Sequence, residues 1–560
     1  MSARAAPAHP IARGFHRLGT KKDVDRILAE ASSKHGLAKT LTARDLVVLG
    51  VAGIIGAGIF VLIGQGIAKA GIAVIPAFIV AAAICAVAGF AYAELAAAIP
   101  ASGSAYAYIY TALGELPGWM VAWALILEYA VGAIAVSIGW RNNFLALWNQ
   151  FVDKGADGLG SFGSTLGYGL THSPLESVQL ASGTTLHGFI NLPSILIVLL
   201  CTLLLVRGAK ESARFTTVLV IVKVLILLFA IIVGFALFKA SNFNDAMPHY
   251  TLPDGKPYDT RGFLDALKAV FAAGAIMFFA YIGFDSVSTT AEETKDPKKA
   301  LPVGILGSLG ITTLLYVLAA SALVGAAHWT LFVGDSAAAQ LARGEPFGYV
   351  FEQNNVLMAG NISIAAVLVR VGALIGTTSV LLVLILGGVR VFFNMSRDGL
   401  LPGRLSTVSR RGAPAFTTLV YGGFTMLFAG FLTLGAAVDI VNIGTLFAFF
   451  MVILAVWVFR LQRPDVHRPF VMPLWSVLNV RGRPYLPIFT ILGLIGTAAL
   501  IFSLDRFTIL ASVVWGGLGF IVYALYGVRR SKQAAENFAT LEDTRASPGR
   551  QGLTVVTPDE

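Results

Sequence analysis

Charge is what this sequence has least of. Asp, Glu, Lys and Arg make up 13% of its 560 residues, about half the share that coats ordinary soluble domains. A soluble chain of this length normally forms two or more domains with polar surfaces. So few charges cannot cover them, and much of the exterior must face lipid. Cysteine is nearly absent. Cys85 and Cys201 both lie in apolar runs, which argues against a disulfide framework or a thiolate metal site. No P-loop, no Gly-x-Ser-x-Gly elbow and no His/Cys metal spacing occurs, so an enzyme is not expected. No short apolar stretch followed by a small-residue cleavage site opens the chain, so no removable signal peptide is expected either.

What is present is apolar length. A helix needs about 20 apolar residues to cross the hydrocarbon core. Twelve such runs occur, at 44–67, 72–98, 118–140, 191–207, 213–238, 264–290, 303–326, 360–389, 416–434, 438–459, 487–504 and 507–527. They do not alternate polar and apolar as barrel strands do. The fold class is all-α and polytopic, with the lipid bilayer as its surroundings. The formal charge of +10 is not a nucleic-acid footprint, because Lys and Arg sit in loops and tails.

Those basic residues predict orientation. They crowd the N-terminal tail (Arg13, Lys21, Arg26), the 6–7 connection (Lys295, Lys298, Lys299), the 8–9 connection (Arg390, Arg397, Arg404) and the C-terminal tail (Arg529, Arg530). Loops 141–190 and 327–359 are poor in them. The positive-inside rule then places both termini in the cytoplasm. Residues 1–40 form a tail with a candidate surface helix around Val24, Ile27 and Leu28. Residues 529–560 form a polar tail expected to be disordered. Between them lie a five-helix block at 41–240, a second at 262–461, and two further helices within 485–528. Five is odd, so the second block enters the membrane from the opposite side. That is the arithmetic of an inverted repeat, whose substrate site lies near the midplane.

Helix one carries the strongest local signal, Gly53-Ile54-Ile55-Gly56-Ala57-Gly58. Each glycine costs about 1 kcal/mol in a helix relative to alanine, so the helix is expected to break. A break frees N–H groups on one side and carbonyls on the other. In lipid they must line a cavity or a ligand. The N–H groups of Ala57 and Gly58 suit a carboxylate, and the carbonyls near Gly53 and Ile54 suit an ammonium. Helix packing through small residues is the alternative. Helix six decides between them: Phe278-Phe279-Ala280-Tyr281-Ile282-Gly283-Phe284-Asp285 sets a mid-span glycine beside an acid in the corresponding member of the second block. Paired interruptions of this kind point to a transport site.

Six stretches carry a resemblance: "IIGAGIFVLIG" at 54–64, "LILEY" at 125–129, "KESARF" at 210–215, "FFAYIGFDSVSTTAEETKDPKKALP" at 278–302, "MSRDGLLP" at 395–402 and "RPDVHRPF" at 463–470. With them the chain resembles the amino acid–polyamine–organocation superfamily, and within it the bacterial cationic amino acid transporter family. The resemblance implies a LeuT-like fold of 5+5 inverted repeats plus two C-terminal helices. It implies that the break at Gly56, Ala57 and Gly58 binds the substrate carboxylate. It further implies that carbonyls of Ile54, Phe279, Ala280 and Ile282 hold the amino group, that Phe279 gates the site, and that Leu384 floors the side-chain pocket. A bulky apolar floor favours neutral side chains.

Three ionisable residues fall at membrane depth. Lys223 lies about ten positions into helix five. A charge there costs at least about 3 kcal/mol, and burial disfavours the charged form of an amine. Lys223 is therefore a candidate proton carrier, and the resemblance places it where sodium-coupled relatives hold their ion. No sodium site, metal or other cofactor is expected. Glu128 and Asp285 are candidates for a charge relay or for structural, hydrogen-bonded carboxyls. Arg370 lies nearer the end of helix eight, with no role assigned. The expected activity is proton-coupled symport of amino acids, neutral ones favoured, in the cytoplasmic membrane. An exchanger of the same fold and an amino-acid-binding membrane sensor are the alternatives.

Overall fold

The computed structural model describes residues 21, 41–99, 104–151, 164–179, 183–207, 209–243, 250–251, 257–258, 263–334, 336–409, 414–472, 479–480, 483–484, 488–504 and 506–531. The predicted surface helix around Val24 and the C-terminal tail beyond Ser531 lie outside the described residues.

Eight described stretches are long and apolar enough to cross a bilayer. Three shorter apolar helices, Leu192–Arg207, Ala415–Ala429 and Ile488–Phe502, join them. The first stretch, Ala43–Ala98, holds two runs, because the chain turns at Gly71 with φ +56°. The described helices therefore account for all twelve runs, and they are numbered here in that order. The fold is all-α, and its described strands are four two-stranded hairpins in connections.

Some bounds differ from the runs. Helix three spans Glu115–Phe151 and not 118–140. Its added turns carry Arg141, Asn143, Asn149 and Gln150, all buried, and Arg141 is bound by Thr171 and Glu176 of the following connection. Polarity there marks contact with a loop, not the end of a helix. Helix eight, Ile364–Arg397, starts where the Ser363 hydroxyl accepts from Ala366 N–H. Helix nine stops at Ala429, and Thr433 caps helix ten, Leu434–Gln462, by accepting from Ala436 N–H. Ser104–Leu113, between helices two and three, is a buried helix that no run predicted.

Helix three packs along helices eight and ten, and helix two along helices six and seven. Hydrogen bonds sort the connections into two ends. At one end Leu41 bridges Thr294, Arg460 of helix ten pairs with Glu94 of helix two, and Ser531 donates to Glu115. At the other, Arg141 pairs with Glu176, and Arg370 pairs with Glu345 and Glu352. The basic-poor connections 141–190 and 327–359, predicted to share a side, meet at this second end. There they enclose a cavity of about 390 Å³ lined by Arg141, Tyr168, His172, Arg343 and Glu345 among others.

Candidate functional site

Helix one breaks where its glycines predict. It begins with a reciprocal cap between Thr42 and Asp45 and runs Ala43–Ile54. Ile55 is extended (φ −72°, ψ 106°), with its N–H still on Val51 O at 3.1 Å. The ladder resumes when Phe60 N–H donates to Gly56 O at 3.2 Å. A wide turn over Gly58–Leu62 then leads into Ile63–Ala70. The last carbonyls of the first half have no partner within their own helix.

Two side chains take those carbonyls. Lys223 Nζ, fully buried, donates to Ala52 O at 2.6 Å, Ile55 O at 2.7 Å and Ser379 Oγ at 2.9 Å. An ammonium has three donors, and each finds an acceptor. No carboxylate pairs with Lys223 among the described residues. Ile54 O lies 2.8 Å from the Tyr316 hydroxyl of helix seven.

Helix six breaks opposite. Its helical half, Phe263–Phe278, tightens over Phe279–Tyr281. Ile282 is extended and Gly283 has φ +119°. A tightly wound segment, Phe284–Glu293, follows. The two breaks touch through their glycines. A Cβ on Gly283 would sit 2.7 Å from Gly53 O, and one on Gly58 would sit 2.3 Å from Ala280 Cα. Ile54, Gly56, Ala57, Gly58, Phe279, Ala280 and Ile282, the residues predicted to hold substrate, are all buried around this crossing. Gly56 faces Val380 of helix eight, where a Cβ would meet that side chain at 2.5 Å. Leu384 lies about one turn further along helix eight, 3% exposed, against Gly132 of helix three. It packs inside the bundle and does not face lipid.

Glu128 and Asp285 are buried neighbours. The Tyr129 hydroxyl donates to Asp285 Oδ2 at 2.5 Å. Glu128 is close enough for the two carboxyls to interact electrically. Among the described residues, Asp285 Oδ1 and both Glu128 oxygens have no hydrogen-bond partner within 3.5 Å. Thr445, beside Glu128, donates its hydroxyl to Val441 O.

Sequence reading missed Tyr316, Ser379 and Tyr129. A lone phenol inside an apolar run is a usable signal, since a buried O–H needs an acceptor. Arg370 was expected near the interface without a role. It is instead 2% exposed and donates to Glu345 at 2.7 Å from both Nε and Nη2, to Glu352 at 2.7 Å, and to Gln150. Arg141, read as a loop cation, is a buried helix residue bound to Glu176 at 2.9 and 3.1 Å and to Thr171 O at 3.0 Å. In the same connection His172 stacks on Tyr168, with ring centroids 3.8 Å apart. Burial pushes its imidazole well below the usual range, and nearby Arg141 adds to the effect.

Residues 41–528 match the family model described as amino acid permease. The chain belongs to the amino acid permease family. The permease is 37% identical over 513 residues to the branched-chain amino acid permease BcaP of Bacillus subtilis (strain 168), covering 91% of this chain and 98% of that one. It is 36% identical to the methylthioribose transporter of the same organism, with the same coverage. It is 33% identical over 454 residues to the vacuolar cationic amino acid transporter 4 of Arabidopsis thaliana, covering 80% of this chain and 68% of that one. The family and its branched-chain and cationic amino acid relatives support amino acid transport, and the apolar spans support a multi-pass membrane protein.

Proposed function

We propose that the permease is a proton-coupled symporter of L-amino acids, preferring neutral cargo, in the cytoplasmic membrane with both termini inside. In this reading the N–H groups around Gly56, Ala57 and Gly58 take the substrate carboxylate. The carbonyls of Ile54, Phe279, Ala280 and Ile282 take its ammonium. Phe279 closes over the cargo and Leu384 floors the pocket. The blocks at 41–240 and 262–461 act as inverted repeats that rock around the site, with two further helices at their flank.

The observation that carries the reading is Lys223. Its three bonds join helix five to the break of helix one and to Ser379 of helix eight. A neutral amine keeps only two of its three protons, so deprotonation either frees one acceptor or turns the Ser379 hydroxyl from acceptor to donor, withdrawing it from Gly376 O. Gain and loss of one proton thus change the bonding where helices one, five and eight meet. One charge moved across 100 mV supplies about 2.3 kcal/mol, and a tenfold gradient costs about 1.4 kcal/mol. One proton per substrate therefore sustains more than tenfold accumulation. Glu128 and Asp285 serve this scheme as a charge relay or as a structural pair.

The test is uptake of an amino-acid panel, with methylthioribose added, into proteoliposomes with and without an inward proton gradient. Wild type is expected to accumulate neutral amino acids only with the gradient. Lys223→Ala is expected to lose that accumulation and keep binding. Transport that ignores pH and needs preloaded amino acid would make the permease an exchanger. Binding without transport would make it a sensor.

A further inference from the structure

Tyr316 is fully buried in helix seven, Pro297–Ala326. Its hydroxyl lies 2.8 Å from Ile54 O and 3.1 Å from Ala280 O. A phenol has one proton, so it donates to one of these carbonyls at a time while standing within reach of both. Ile54 ends the first half of helix one, and Ala280 lies in the turn where helix six breaks. A single O–H from an unbroken helix therefore ties the two broken helices together. Both oxygens are also among those proposed to hold the substrate ammonium.

We propose that the Tyr316 hydroxyl is a built-in stand-in for the substrate ammonium. It donates in turn to the Ile54 and Ala280 carbonyls in the part of the transport cycle without cargo, and cedes them when an amino group arrives. A buried carbonyl left without a donor is costly, and here two such carbonyls face each other across the break. Without a resident donor, the broken helices would close well around an ammonium and poorly around nothing. With it, the carrier can close and return without cargo. Net uptake requires that return, and exchange of one amino acid for another does not. Tyr316 is thus a positioning residue for the unloaded step. The inference rests on the symporter reading above.

The ring is held independently of the hydroxyl. Its centroid lies 5.6 Å from that of Phe78 and 5.4 Å from that of Tyr281. Tyr316→Phe keeps this packing and removes only the O–H. The full chain, wild type and Tyr316→Phe, is reconstituted in proteoliposomes. The cargo is the amino acid that wild type accumulates best. Net uptake under an inward proton gradient is compared with counterflow from preloaded vesicles. Net uptake is expected to fall on the order of tenfold, the population change that one lost buried hydrogen bond gives, with counterflow within about twofold of wild type. Cargo affinity of the purified protein is expected to be equal or tighter, since a competitor for the carbonyls is gone. The affinity of the matching amine-free carboxylic acid is expected not to change. Parallel loss of net uptake and counterflow, no change in either, or weakened cargo binding would overturn the stand-in role. A wild type confined to exchange would overturn it too, because no unloaded return would exist. A wild type that moves no amino acid in either format would overturn the symporter reading itself.

Discussion

Replacing Gly283 by alanine puts the crossing of the two broken helices under a defined load. Gly283 has φ +119°, a left-handed conformation that costs a residue with a Cβ about 1–2 kcal/mol. The added carbon would also stand 2.7 Å from Gly53 O and 2.8 Å from Gly53 C. Those atoms are backbone, so they cannot turn aside as a side chain would. Overpacking of that kind costs about 1–3 kcal/mol. Together the two terms give about 2–5 kcal/mol against any conformation that keeps the contact. At about 1.4 kcal/mol per factor of ten, its population falls by about 30-fold to a few thousandfold. Initial uptake rates in proteoliposomes should drop accordingly, with the lower bound the safer figure because the chain relaxes. Gly310→Ala in helix seven and Gly517→Ala in helix twelve are the controls, since a Cβ there meets nothing within 4 Å. They should transport within about twofold of wild type and melt no lower, given alanine's helix propensity. A Gly283→Ala protein that transports within about threefold of wild type and melts unchanged would refute the argument that this crossing is tight in the working cycle.

The loss of gradient-driven accumulation in Lys223→Ala and the split between net uptake and counterflow in Tyr316→Phe are stated above with their assays. His172 should give the connection over helix three an acid-sensitive stability. The unfolded chain takes a proton near pH 6.5 while burial and Arg141 resist it in the fold, so the stability present above about 6.5 is lost as pH falls below it. Melting temperatures between pH 7.5 and 5 should fall less steeply in His172→Phe, and identical slopes would count against the burial argument. Arg370→Met leaves Glu345 and Glu352 without their guanidinium and should cost about 3–5 kcal/mol. Arg390→Met removes a part-exposed pair with Glu293 and should cost about 1 kcal/mol or less, a contrast that thermal unfolding in detergent would show.

Spans were legible because lipid imposes a length on every apolar run, and the described helices occupy all twelve. Their ends were less so. Arg141 and Asn143 read as the start of a loop, yet both are buried side chains of helix three. Charge density in sequence does not distinguish a residue facing water from one facing a polar connection folded over it. Arg370 escaped assignment for the same reason, because its partners Glu345 and Glu352 lie in a connection whose path sequence does not give. The two breaks were legible from glycines at matching places of the two blocks, with Asp285 beside the second, since helix propensity is local. What fills them was not. Lys223 could be singled out as a charge at depth, but its acceptor Ser379 is 156 positions away. Tyr316 reaches Ile54 across 262 positions. No periodicity encodes pairings of that range, and they follow only from how helices five, seven and eight pack on helix one.

The ion pairs differ in a way that bears on which parts of the bundle move. Helix eight is tied through Arg370 to Glu345, with both side chains 3% exposed, and through the same guanidinium to Gln150 of helix three. Helix two is tied to helix ten by Glu94 and Arg460, 2% and 7% exposed. Breaking a pair this deep leaves a buried charge uncompensated, so helix eight is held to helix three and helix two to helix ten at high cost. The end of broken helix six is held otherwise. Glu293 meets Arg390 of helix eight at 3.0 Å with 30% and 26% of the two side chains exposed, where water replaces a lost partner at small cost. Beside it, the chain entering helix one is joined to Thr294 by a single isolated bridge from Leu41. Helix six therefore meets helix eight at this end through a pair that is cheap to release, while helix three is fastened to helix eight and helix two to helix ten through contacts that are not. In the proposed cycle, that difference in burial lets the end of helix six part from helix eight at lower cost than helix two parts from helix ten.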